Sequence, residues 1–327
     1  MTARVLIPGG YGIIGSTIAR HIRRTGKDVE LVLAGRTPEK GAALAQELGG
    51  ASTAYLDVAD ADVLRSVGTV DLIVAALYDP ANRLIDAALA HGIAHIGITT
   101  KAEDVAPIMC AALRSPPKRP IVLLGHCAAG VATIVAQKAA ERFSRVDAIE
   151  VAALYDVRDP VGPMTAGDAD SLVSRALIRE GGAWAWVGPQ RARSVRLSDE
   201  RVMEGYPAGL LDAPSLAAIT GAANVRLDLL QGDSLGTLGG GRASSDVTID
   251  IEGVLKSGAP GTCRTVLSDP NGLAHLTGLG VLVATERVLG LDGQAPAAGG
   301  LHLPATLVSP DAAIARFEQF GVRIITE

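Results

Sequence analysis

The sequence predicts an α/β protein: a doubly wound parallel sheet in its first third, followed by a second α+β domain with a mainly antiparallel sheet. Three observations carry that prediction. Short continuous apolar runs alternate with amphipathic stretches as far as Cys127, the texture of strands covered by helices on both faces. A glycine-rich turn follows the first apolar run. Beyond Gly130 the runs alternate apolar with polar residues and lie between long turn-rich segments, as antiparallel strands do. At 327 residues the chain exceeds one ordinary core and suits two domains.

In chain order, "RVLIP" is the first strand, Gly12 to Arg24 a helix stopped by Gly26, and "VELVLA" the second strand. "TPEKGAALAQELGG" predicts a helix with Thr37 at its N-cap, Pro38 in its first turn and Gly49 or Gly50 past its end. "STAYLDV" is a third strand, Ala59 to Val67 a short helix, and "VDLIVAAL" a fourth strand. "NRLIDAALAHG" is a helix closed by Gly92, and "AHIGIT" and "PIVLLG" supply strands five and six. Right-handed crossovers wind these into one parallel sheet. Next come a helix, "VATIVAQKAAERF", and a strand, "VDAIEVAALYD". A helix is expected near Asp170 to Arg179, then the Gly/Trp/Pro-rich "EGGAWAWVGPQ". "ARSVRL", "NVRLDLL" and "SDVTIDIEGVL" are strands, and "GLAHLTGLGVLVATERVLG" and "PDAAIARFEQFGV" late helices.

Composition narrows the function classes. Hydrophobic residues make up 48% and charged ones 20%, enough for a substantial core, while aromatics at 3% leave packing to Ala, Val, Leu and Ile. A net charge of -5, with no basic cluster interleaved with aromatics, argues against a nucleic-acid partner. The apolar run in "MTARVLIPGG" is too short for a signal-peptide core, and no window approaches the ~18 apolar residues of a membrane span. Cys110, Cys127 and Cys263 are scattered and odd in number, which fits a reduced cytoplasm better than disulfides or zinc. In "HGIAH", Gly92 and the strand-like "IAHIGI" separate His91 from His95, so no metal site is expected.

The turn "GGYGIIG" places Gly9, Gly10, Tyr11, Gly12, Ile13 and Ile14 between the first strand and the first helix. It contains G-x-G-x-x-G as Gly10, Gly12 and Gly15: one glycine for the tight turn, one for close approach to a pyrophosphate, one for helix–strand packing. The helix N-terminus offers N–H groups and a positive dipole end to phosphate. The first domain is therefore expected to be a Rossmann-type dinucleotide-binding domain. Twenty-one residues beyond Gly15 stands Arg36, preceded by Gly35, where an acid would grip the ribose 2′-OH of NAD. Arginine can instead form a forked, charge-assisted pair with the 2′-phosphate of NADP, helped by Thr37, Lys40 and the amides of the new helix. NADP is the expected cofactor.

Ligands of open parallel sheets lie at the carboxyl ends of the strands. There the sequence offers Tyr78 and Asp79, then Thr99, Thr100 and Lys101, then His126 and Cys127, with Ala75 and Ala76 small enough for a nicotinamide ribose to pass. Hydride transfer to a carbonyl or imine needs a group that polarises or protonates the heteroatom. Lys101 or His126 could serve, as could Tyr155, beside Asp156 at the end of the second domain's first strand. Each also has a plainer reading: a solvated helix-start lysine, a hydrogen-bonded loop histidine, a packing tyrosine. His126 and Cys127, being adjacent in extended chain, point to opposite faces and do not suit a thiolate–imidazolium pair.

Together, "VLIPGGYGIIGSTIARHI", "LAGRTPEKGAALAQEL", "LDVADADVLRSVGTVDLIVAAL" and "LIDAALAHGIAHIGIT" resemble the saccharopine dehydrogenase-like (saccharopine reductase-like) family, and "GHCAAGVATIVAQKAAERF" and "GGLHLPATLVSPDAAIARFEQFGV" extend the likeness over nearly the whole chain. The resemblance implies that Gly10, Gly12, Gly15, Arg36 and Asp57 bind the dinucleotide, with Asp57 and Val58 near the adenine. It also implies that residues 300–327 return to the dinucleotide domain formed by residues 1–127. Residues 128–299 would then form a substrate-binding and dimerisation domain of a homodimer. The chain departs from the family pattern at Ala129, at Thr99 or Ile98, and at Pro304-Ala305, which disfavours saccharopine itself as substrate. The expected activity is an NADP-dependent reduction of a C=N or C=O bond in a small, amino-acid-like substrate. The alternatives are an enoyl (C=C) reductase on the same scaffold and a non-catalytic NADP-binding redox sensor.

Overall fold

A computed structural model describes residues 2–99, 101–162 and 171–327. The chain divides into two compact units, Met1–Gly125 with Gly278–Leu307, and His126–Thr277 with Val308–Glu327.

The first unit contains β1 (Ala3–Pro8), α1 (Ile13–Arg24), β2 (Val29–Gly35), a 3₁₀ turn at Pro38–Gly41 leading into α2 (Ala42–Leu48), and β3 (Ala51–Tyr55). It continues with β4 (Leu72–Ala75), α3 (Arg83–His91), β5 (Ala94–Gly97), α4 (Val105–Arg114) and β6 (Pro120–Leu123). With Gly300–His302 (β15) these strands form a parallel sheet in the order β3-β2-β1-β4-β5-β6-β15. Leu6, Ile7, Leu31, Leu33, Leu72, Ile73 and Ile96 are fully buried on it, because helices cover both faces and the strands need no polar side. The winding reverses between β1 and β4, where this architecture binds ligands.

The expected helix at Ala59–Val67 is instead a series of turns. Asp57 Oδ1 accepts the Ala59 N–H and Asp62 Oδ1 the Leu64 N–H. The Asp62 carboxylate takes an amide that a helix through Leu64 would give to a backbone carbonyl. Thr37 stands before the 3₁₀ turn, but its side chain makes no capping bond.

The second unit contains α5 (Val131–Ala140), β7 (Phe143–Tyr155), β8 (Ala176–Glu180), β9 (Ala183–Val187), β10 (Arg193–Arg196), β11 (Val202–Pro207), α6 (Asp212–Thr220) and β12 (Asn224–Gln231). It adds α7 (Leu235–Leu238), β13 (Ser245–Leu255) and β14 (Pro260–Asp269). The boundary at residues 277 and 278 falls inside α8 (Leu273–Leu289), and α9 (Pro304–Leu307) closes the first unit's second segment. The second unit's sheet is mixed and mainly antiparallel, ordered β10-β11-β12-β7-β13-β14-β16, where β16 is Arg323–Thr326. Only β12 and β7 pair in parallel among the described strands of that sheet.

The helix expected near Asp170–Arg179 is not the arrangement found. Asp170 lies outside the described residues, residues 171–174 are helical, and Ala176–Glu180 is strand β8. It forms a hairpin with β9, the "AWAWV" of the Gly/Trp/Pro-rich stretch. Gly181 and Gly182, at φ 54° and 84°, supply the two positive-φ residues of a tight hairpin turn.

The segment expected to rejoin the first unit at 300 does so from 278 and leaves it again after 307. β15 extends the parallel sheet, but α10 (Pro310–Gln319) packs on α5, and β16 pairs antiparallel with β14. The apolar stripe Ala313, Phe317 and Phe320 is the physical reason: Phe317 is completely buried there. No helix among the described residues is long and apolar enough to cross a membrane. Replacing Phe317 with Ala should lower the unfolding free energy of the second unit by about 3–5 kcal/mol, measured by chemical denaturation followed through near-UV circular dichroism.

Candidate functional site

The glycine turn of the first unit is built of backbone against backbone. A β-carbon at Gly15 would lie 2.2 Å from the Gly9 carbonyl oxygen, one at Gly10 would lie 2.6 Å from that of Ile7, and one at Gly9 would lie 2.6 Å from that of Ala76. Gly9 has φ +78°, and its N–H donates to the Ala34 carbonyl at 2.8 Å. Gly12, in extended backbone, is the N-cap of α1; no side chain caps that helix, and its first turn holds no acid. An uncapped helix end over a cradle of glycines fits the pyrophosphate of a dinucleotide. Ile13 is exposed and Ile14 half-buried on that first turn. The Ala76 N–H donates to the Pro8 carbonyl at 2.9 Å, joining the carboxyl ends of β1 and β4 where the winding reverses.

At the end of β2, Gly35 is buried and Arg36 exposed, and the guanidinium has no hydrogen-bond or ion-pair partner among the described residues. The Thr37 N–H, an expected ligand donor, already donates to Tyr11 Oη at 3.0 Å. Lys40 is exposed on the 3₁₀ turn. Asp57 and Val58 are half-buried just beyond β3, with Asp57 Oδ1 held in its turn by the Ala59 N–H at 2.9 Å.

At the carboxyl ends of β4 and β5 lies a cavity of about 130 Å³, lined among others by Ala75, Tyr78, Asp79, His95, Thr99 and Asp104. Asp79 Oδ2 accepts the Leu84 N–H at 2.7 Å, which fixes the start of α3, while its Oδ1 is buried without a partner among the described residues. Thr99 Oγ1 donates to the Leu77 carbonyl at 3.2 Å. Lys101 is half-buried ahead of a 3₁₀ turn, and its N–H donates to Asp104 Oδ2 at 3.0 Å. Thr100 lies outside the described residues. His95 is pushed down to about 3 by burial, so its imidazole is neutral. His91 sits on α3 and His95 on β5. Among the described residues no three His, Cys, Asp or Glu side chains converge to hold a metal.

His126 and Tyr155 belong to the second unit, Lys101 to the first. His126 is 5% exposed; its Nε2 lies 2.7 Å from Ser215 Oγ and its Nδ1 has no partner among the described residues. Burial pushes its pKa down to about 3, which removes the imidazolium as a proton source near neutrality. The neighbouring Cys127 thiol is pushed up by burial and by the Asp212 carboxylate, so it stays protonated and unreactive. Tyr155 is half-buried at the end of β7, its hydroxyl unpartnered among the described residues. Asp156, next to it, is buried and accepts the Ser234 N–H, the Ser234 and Thr237 hydroxyls and the Arg158 N–H.

Sequence reasoning passed over Asp212, a lone acid in the apolar stretch "DAPSLAAIT". It is fully buried and accepts the Cys127 N–H and the Thr133 hydroxyl, both at 2.8 Å. It thereby anchors a turn in which Ala128, Ala129 and Gly130 are all left-handed, at φ 48°, 51° and 89°. Proline, whose ring holds φ near about −65°, could not take the backbone that Ala129 adopts.

Burial pushes Asp212 up to about 6, against two donors that lower it. Its folded form therefore holds a proton that the unfolded chain releases near 3.8. Its contribution to stability falls as pH rises through that window and stays low above it. The stability of wild type minus that of Asp212→Asn should drop by about 2 kcal/mol between pH 4 and pH 7.5, measured by urea denaturation at each pH.

The model of the saccharopine dehydrogenase NADP-binding domain matches residues 5–119. No curated protein sequence matches the chain. Among solved structures, it is similar to apo saccharopine dehydrogenase (L-Glu forming) from Saccharomyces cerevisiae, at 13% identity over 99% of this chain and 100% of that one, with a TM-score of 0.74. Similarity is weaker to an oxidoreductase from Agrobacterium radiobacter in complex with NAD+, L-tartaric acid and magnesium, at 14% identity over 99% and 98% with a TM-score of 0.51. A scyllo-inositol dehydrogenase from Lactobacillus casei with bound NAD(H) and scyllo-inositol matches at 13% identity over 99% of both chains, with a TM-score of 0.50. Residues 5–119 thus match the saccharopine dehydrogenase NADP-binding domain, and the chain as a whole shares the fold of saccharopine dehydrogenase.

Proposed function

We propose that this chain is an NADP-dependent oxidoreductase that reduces a C=N or C=O bond of a small, amino-acid-like substrate. The observation that carries the reading is the uncapped glycine cradle of α1 followed by a strand end with no acid, where Gly35 precedes an exposed Arg36 that has no partner among the described residues. The cradle suits a pyrophosphate, and a guanidinium without an acidic partner suits the additional dianion of a 2′-phosphate. When bound, the nicotinamide would supply the hydride. Gly10, Gly12, Gly15, Arg36 and Lys40 would hold the dinucleotide, and Ala75 and Ala76 would leave room for its nicotinamide end.

Lys101 and Tyr155 are the candidates for protonating the heteroatom, since lysine and tyrosine side chains carry donor N–H and O–H groups. Neutral, buried His126 is better suited to holding Ser215 than to acid catalysis. The reading includes a homodimer formed through the second unit and a cytoplasmic location. The latter rests on free Cys110, Cys127 and Cys263, of which Cys110 is exposed.

The test is NADPH oxidation against a panel of imines, ketones and enones, with substrate-dependent turnover expected on imines or ketones. Turnover on enones alone would replace the bond type, and tight NADPH binding without turnover on any would favour a sensor. Arg36→Ala should weaken NADPH binding by roughly ten- to a hundredfold, the loss of a charged hydrogen-bonding partner, and leave NADH binding unchanged. Equal affinity of the variant and wild type for NADPH would remove the basis for NADP.

A further inference from the structure

We propose that Tyr11 is a specificity-determining residue for the adenosine ribose, its hydroxyl donating a hydrogen bond to the 2′-phosphate beside Arg36. This rests on the NADP reading above and assigns to it a donor outside the strand end that the reading depends on.

Tyr11 belongs to the glycine turn, yet its side chain reaches across to the end of β2. A β-carbon at Gly35 would lie 2.3 Å from its Oη and 2.7 Å from its Cζ, and one at Gly41 would lie 2.8 Å from its Cδ1. The ring therefore rests on two bare stretches of backbone. A side chain at position 35 and the ring in this place exclude each other, so the ring keeps the strand end beside Arg36 bare.

The donors of the following turn are also accounted for. The Thr37 N–H donates to Tyr11 Oη at 3.0 Å, and the next residue, Pro38, has no N–H. An anion at this turn would thus find neither of the first two amides. The phenol replaces them: it accepts from Thr37, and its own proton has no acceptor among the described residues. A tyrosine hydroxyl can accept and donate at once, so Tyr11 passes the hydrogen-bonding capacity of the Thr37 amide outward. Arg36 and Lys40, both exposed, supply the charge, and Tyr11 supplies the neutral, directional donor.

The test is calorimetric titration of wild type and Tyr11→Phe with NADPH, NADH, adenosine 2′,5′-bisphosphate and adenosine 5′-monophosphate. Phenylalanine keeps the ring over Gly35 and Gly41 and removes only the hydroxyl. The expected result is a loss of roughly tenfold in affinity for NADPH and the bisphosphate, the scale of one hydrogen bond to a charged group, with NADH and the monophosphate unchanged. Gly35→Ala, which forces the ring off Thr37, should reproduce the loss. A Tyr11→Phe variant that binds NADPH and the bisphosphate as wild type does, in a protein that still prefers NADPH over NADH, overturns the role of Tyr11 alone. A wild type without that preference overturns the NADP reading and this inference together.

Discussion

The first unit depends on a contact between two pieces of backbone. At Gly15, α1 lies so close to the Gly9 carbonyl that no β-carbon fits, and the same turn presses Gly10 onto Leu33 of β2 and Gly9 onto Ala76 after β4. One seven-residue turn thus fixes the helix against three neighbouring strands. Because these contacts are made by main chain, they set the position of the helix N-terminus with little slack, and an anion site made of amides needs that precision. Tyr11 is carried by this turn, so its reach to Gly35 and Thr37 is a further consequence of the same crowding.

Two buried carboxylates of the second unit show how local donors decide the fate of a charge. For Asp156 burial alone would raise the pKa, but the Thr237 and Ser234 hydroxyls and the Ser234 and Arg158 amides outweigh it and hold the group well below the usual carboxylate range. Asp212 is more densely surrounded by protein and has fewer donors, and burial wins. The difference matters because Asp212 anchors the left-handed run at 128–130. Two alanines in that conformation cost of order 1–2 kcal/mol each, and they stay there because the carboxylate grips both sides of the turn through Cys127 and Thr133.

Much of the parallel sheet was legible because buried strands such as "VLIP" and "LIVA" are uninterrupted apolar runs and because a G-x-G-x-x-G turn answers to backbone geometry that only glycine meets. Elements that escaped are those whose cause is not local. The β8–β9 hairpin hides its alternation under tryptophans that stack on Arg175 and Arg179. β11 and β14 carry glycine and proline that read as loop, and the turns after β3 arise from aspartates competing for amides. The candidate site divides in the same way. Its glycines and Arg36 follow from spacing, whereas the occupation of the Thr37 amide by a tyrosine 26 residues away and the pairing of His126 with Ser215, 89 residues away, are tertiary facts. Unit boundaries were hardest, since a segment such as 308–327 declares its home only through partners such as β14.

The seventh strand of the parallel sheet has a kinetic consequence. β15 pairs with β6, yet almost the whole second unit lies between them in sequence. During synthesis, β1 to β6 can assemble as soon as residues 1–125 have emerged, but that sheet keeps an open edge along β6 until residues 300–302 arrive. The second unit waits longer still, because β16 at residues 323–326 closes the edge of β14. Each unit thus passes a period with an unpaired strand edge, the kind of surface on which chains associate before they finish folding. Pairings of such long sequence separation also close slowly. The order of emergence, rather than the strength of either core, would then set which intermediate is most exposed to aggregation.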